Sequence, residues 1–240
     1  MRHKTLRITM VALAVMAMLS LSSCVVTEDL HILKDNSYSS AFDFSVEDFF
    51  IAVLQDFNDF MPSDSNETIM DGAIADFQKA LESGISTSNV SMQKLNDNAY
   101  KGTFDFTNIE QLFSDLGAGS NQTILVQQGK TLHFNLSMDN YDQLVPVIPF
   151  LSDENFEAFG PTYNQGLSEA DYLEMISFML GEEGPGAISK SVITLRINTP
   201  GIITTFSNGK KISDQVFEFS FPLIDFLLLA KPISFSVSWK

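Results

Sequence analysis

The alternation of apolar and polar residues changes period several times along this chain, and each change marks an element. Tyr38, Phe42 and Phe44 alternate with polar or small residues, the period of two expected of a half-buried strand. The period then lengthens. Ser45, with Asp48 three residues on, reads as a helix start; Phe49, Phe50, Val53, Leu54, Phe57 and Phe60 would share one face, with Asp56 and Asp59 opposite and Pro62 as the stop. A second helix is predicted over 67–83, with Met70, Ile74, Phe77 and Leu81 as its apolar stripe and Gly84 at its end.

Residues 85–95 read as a strand and Asn96-Asp97-Asn98 as a turn, after which Tyr100, Phe104 and Phe106 alternate with polar positions. Thr107 and Glu110 have the spacing of a capping box for a short helix ending at Gly117. A hairpin follows, with its turn near Gln128-Gly129 and with Leu132, Phe134, Leu136 and Met138 on one face. Residues 141–186 break the β pattern: an irregular stretch rich in Pro and Gly, a helix begun by Ser168 and Asp171 with Leu167 and Tyr172 as a hydrophobic staple, and a flexible acidic exit over 181–186. Leu173, Ile176, Met179 and Leu180 continue that helix. Strand signals return at Val192–Asn198 and again from Ile202 to Phe206, which leads into Asn208-Gly209, the strongest short hairpin signal in the chain. Phe217, Phe219 and Phe221 alternate on the returning strand; Ile233, Phe235, Val237 and Trp239 do so at the end. The sum is an α+β domain: an antiparallel sheet of about seven strands, helices packed on one face, and one helical insertion at about 141–186.

The first 24 residues obey a different logic. Arg2, His3, Lys4 and Arg7 precede an apolar run from Ile8 to Leu21, the length of a signal-peptide core and short of the roughly 20 residues of a membrane span. Leu21-Ser22-Ser23-Cys24 then resembles a bacterial lipobox, with the only cysteine of the chain in the acylated position. That resemblance implies a signal peptide over 1–23, diacylglycerol on the Cys24 thiol, acylation (palmitate) of the amine freed by cleavage, and attachment to the membrane through that lipid. Val25 stands where an inner-membrane retention Asp sits in some bacteria, which favours the outer membrane. Residues 24–36 are expected as anchor and tether, or as a first strand from Leu30 onward, before a single domain over 37–240.

Charge narrows the partners. Cleavage removes three of the 14 basic residues and none of the 30 acidic ones, leaving −19. Such a surface repels phosphate backbones, so nucleic acid is excluded as a partner, and the lipid itself must provide membrane attachment. With no second cysteine, the domain has no internal disulfide and holds together by its core, to which 21 phenylalanines contribute.

Catalytic signatures are missing: the chain has no Gly-x-Ser-x-Gly elbow, P-loop or dinucleotide fingerprint. His31 and His133 supply too few donors for zinc, and Asp153-Glu154, Glu169 with Asp171, and Glu182-Glu183 lack the ligand spacing of a calcium loop. No cofactor is expected, nor an enzyme.

Three segments resemble the LppM-like (lipo)protein family: residues 95–112 (turn, strand and short helix), the hairpin from Thr123 to Met138, and the stretch from Ile193 through Pro200-Gly201 to Asn208-Gly209. Against that family, 141–186 stands out as an insertion. The resemblance implies a domain of the bacterial cell envelope that binds a lipid or glycolipid, and offers no set of functional residues to carry over. The expectation is a non-enzymatic, lipid-anchored envelope protein that binds a lipid, glycolipid or other hydrophobic ligand, lined by Phe49, Phe50, Val53, Phe57, Phe60, Ile176 and Met179. The alternative is a scaffold lipoprotein that docks on another envelope protein.

Overall fold

The structure, a computed structural model, describes residues 25–47, 69–148, 151 and 157–240. The α+β class holds, with the described strands divided between two sheets. The larger is built around β1 (Val25–Ile32). On one side β1 pairs antiparallel with β2 (Tyr38–Ser45), which is followed outward by β4 (Ala99–Phe106) and β3 (Thr87–Asn96). On the other side it runs parallel to β7 (Val192–Asn198), followed by β10 (Val216–Pro222) and the short β9 (Lys210–Lys211). The order is β3-β4-β2-β1-β7-β10-β9. The smaller sheet has the order β5-β6-β11-β8, from Leu125–Gln128, Thr131–Leu136, Ile233–Trp239 and Ile203–Ser207. The sheets meet through aromatic side chains: the Phe235 ring lies 5.2 Å from that of Phe217 and 5.3 Å from that of Phe219.

Helices cover part of the rest of that inner face. α1 (Ile69–Ser83) buries Met70 and Ile74 against Tyr100, and sets Phe77 edge-on to Phe104. Gly102 lies beneath because a Cβ there would strike the Phe42 ring and the Met92 sulfur. α2 (Ile109–Asp115) is capped by Asn108, whose side-chain oxygen accepts from the Gln111 N–H, one residue beyond the expected Thr107. α3 (Glu169–Leu180) starts on Ser168 as expected, and with α4 (Glu183–Lys190) and α5 (Leu223–Leu228) forms a separate small core.

Three expectations are corrected. Residues 25–32 are no tether: they form a full strand at the centre of the sheet, because Leu30 and Ile32 have buried positions to fill once β2 and β7 flank them. The acidic exit at 181–186 runs instead into a helix. Its Pro185 lies in the first turn, where a backbone N–H has no partner to lose. Asn208-Gly209 does not turn a hairpin. β8 pairs with β11 and β9 with β10, so the chain crosses there from one sheet to the other. The hairpin lies further on, where Lys211 faces Phe217 across the turn at 212–215.

Candidate hydrophobic site

Alternation along β1 turns Glu28, Leu30 and Ile32 to the inner face and Asp29 and His31 to the outer one. The inner face is unevenly covered. Leu30, Ile32, Ile197 and Phe217 are buried under the second sheet. Toward the Val25 end, Val26, Phe42, Ile193 and Leu195 are only partly buried, as are Leu223 and Leu227 on α5.

Glu28 lies in this strip, between Phe42 on β2 and Leu195 on β7. Its carboxyl accepts a hydrogen bond from Ser40 Oγ at 2.5 Å. The side chain as a whole keeps some surface, but the carboxyl is packed about by protein. Burial raises its pKa to about 7 and Asp29 adds to the rise, while the Ser40 hydrogen bond opposes it. Near neutral pH this group can donate a hydrogen bond as an acid or accept one as a carboxylate. Those are the two polar functions that hold the head of an amphiphile whose chain lies on apolar residues.

The cations of these strands point the other way. On the outer face, Arg196 reaches Asp29 at 3.2 Å and Glu218 at 2.9 Å, and Lys210 reaches Glu218 at 2.8 Å. Arg196 on β7 thus ties β1 to β10 by charge, and hydrogen bonds with that cluster hold the Glu218 carboxyl below its ordinary range.

Of the residues expected to line a ligand site, Phe49, Phe50, Val53, Phe57 and Phe60 lie outside the described residues, as do Leu21, Ser22, Ser23 and Cys24. Ile176 is fully buried with Tyr172, Leu180, Ile188 and Ile224, and a Cβ at Gly184 would come within 2.9 Å of its side chain. It packs at the joint of α3 and α4. Met179 is 42% exposed beside Phe178, which is 93% exposed. Sequence reasoning passed over Glu28. The available signal was an acidic residue in step with Val26, Leu30 and Ile32, a charge in an apolar register.

An open cleft of about 490 Å³ lies beside α2. Ser86, Thr107, Asn108, Glu110, Gln111, Ser114 and Ser120 line it, with Ile85. These hydroxyls and amides suit a hydroxyl-rich group better than an alkyl chain. Among the described residues no three His, Cys, Asp or Glu side chains converge as a metal site, and no helix is long and apolar enough to cross a membrane.

No protein-family model and no curated protein matches this chain. Among solved structures it is similar to the NMR structure of the folded domain of LppM from Mycobacterium tuberculosis, over 90% of this chain and 89% of that one. At 10% identity and a TM-score of 0.39 the likeness is a distant one and assigns neither family nor function.

Proposed function

We propose that this is a non-enzymatic, lipid-anchored protein of the bacterial envelope that binds a lipid, glycolipid or other hydrophobic ligand on the inner face of its seven-stranded sheet. The anchor rests on Leu21-Ser22-Ser23-Cys24 behind a basic and then apolar leader. The binding is carried by one observation: Phe42, Ile193 and Leu195 are incompletely covered around the enclosed carboxyl of Glu28. Covering such a strip with an acyl chain gains about 25 cal/mol per Å² of apolar surface removed from water, and the carboxyl orients the head.

Native mass spectrometry of the chain from Val25 onward, incubated with lipids from the source membrane, tests this. A stoichiometric adduct is expected, lost in Leu195→Asp and altered in lipid class in Glu28→Gln, with circular dichroism confirming that both variants fold. A clean apo mass across the lipids overturns it. The exposure of Phe178 and Met179 on α3 favours the second reading, docking on another envelope protein. Under that reading, crosslinks in the intact envelope would concentrate at α3.

A further inference from the structure

Resting on the lipid-anchor reading, we infer that the domain stands end-on on the bilayer, with the edge of the larger sheet that holds Val25 lying against the lipid headgroups. Val25 is already hydrogen-bonded into the sheet, opposite Ser45 on one side and Val192 on the other. Cys24 is its chain neighbour, about 3.8 Å away between Cα atoms. A 13-residue tether would have let the domain roam on the order of 45 Å from its lipid, and this arrangement leaves one peptide unit.

The composition of that end suits the contact. Read across six strands, its row is Asn96, Ala99, Ser45, Val25, Val192 and Pro222. None of these residues is charged, in a chain of net charge −16. Leu95 and Val192 are exposed there, at 46% and 41%. The nearby Lys94 amine is held by Asp71 at 3.0 Å and by Asp97 at 3.3 Å, so the row itself is uncharged and the lysine beside it is already paired. Glu28 is three residues from Val25, about 10 Å along the strand, so the apolar strip begins beside the membrane that would supply its ligand. The far end of β1, at Ile32, stands about 23 Å from Val25.

The full-length lipidated protein tests the orientation. Single cysteines replace Leu95 and Val192 at the near end, or Leu33 and Ser88, both exposed, at the far end. Each carries an environment-sensitive fluorophore, and the protein is reconstituted in phosphatidylethanolamine–phosphatidylglycerol vesicles containing a headgroup nitroxide quencher. Quenching at 95 and 192 is expected to exceed that at 33 and 88 by roughly threefold or more, since a strand's length separates the two ends. Equal quenching at all four positions, or stronger quenching at the far end, overturns the inference alone. A wild-type protein whose mass lacks diacylglycerol and whose Cys24 reacts with maleimide overturns the anchor reading and this inference together.

Discussion

Ser40 Oγ donates a 2.5 Å hydrogen bond to the Glu28 carboxyl on the inner face of a sheet whose other nearby residues are apolar. One hydrogen bond does not replace the hydration the carboxylate loses, so the acid form is favoured and the pKa rises from 4.5 to about 7. Between those two values the folded protein holds a proton that the unfolded chain releases. The stability this group contributes is therefore present at low pH, falls as pH rises from about 4.5 through about 7, and stays lost above. Glu28→Gln, neutral throughout, is expected to be more stable than wild type at pH 8 by on the order of 2 kcal/mol and nearly equal to it at pH 4.5. Urea unfolding of both proteins at the two pH values measures this; a pH-independent difference would refute the assignment.

Asp115 illustrates the opposite sign. Its carboxylate accepts from the Ser86 N–H at 3.0 Å, Ser86 Oγ at 2.7 Å and Gln111 Nε2 at 2.8 Å, binding the end of α2 to the entrance of β3. Burial pushes its pKa up, but these hydrogen bonds outweigh burial and hold it below 3.8. The contribution is present above the ordinary carboxylate pKa and lost as pH falls through the lowered value. Asp115→Asn is expected to cost about 1–3 kcal/mol at pH 7, with the gap to wild type narrowing below pH 4. A gap that is constant down to pH 2.5 would show that charge plays no part.

Gly209 marks the crossing between sheets. A Cβ there would enter the Phe217 ring and lie 2.7 Å from the Glu218 carbonyl oxygen. Gly209→Ala should destabilise by about 2 kcal/mol or more, because Phe217 is fully buried and has no room to yield. Gly186, inside α4, has nothing within 4 Å of its would-be Cβ, and Gly186→Ala should stabilise by about 0.5–1 kcal/mol. Chemical denaturation of the pair gives opposite signs if steric fit governs. The same sign for both would mean that backbone preference governs instead.

Much of the fold was legible because it is written in local periods. The stripe of Met70, Ile74, Phe77 and Leu81, the Ser168 cap and the alternation from Ile233 to Trp239 each depend on residues within a few positions of one another. The candidate site was harder to read. Phe217, Phe219 and Phe221 were recognised as one strand face, but their meeting with Phe235 depends on the approach of a second sheet. Glu28 looked like one more carboxylate among 30 until β2 and β7 closed on either side of it.

By itself, the sequence determined the α+β class, most element boundaries, the acidic composition and the basic-then-apolar run that precedes Cys24, since propensity, capping and periodicity act over one or two turns of chain. Only the tertiary structure decided that residues 25–32 are the central strand, that Asn208-Gly209 joins two sheets, that Ile176 is core and that Glu28 faces inward. Each of those outcomes is set by a partner strand or helix distant in sequence. An Asn-Gly pair has the same backbone preference whether the next strand returns to its neighbour or leaves for another sheet, and long-range pairing and burial choose between the two.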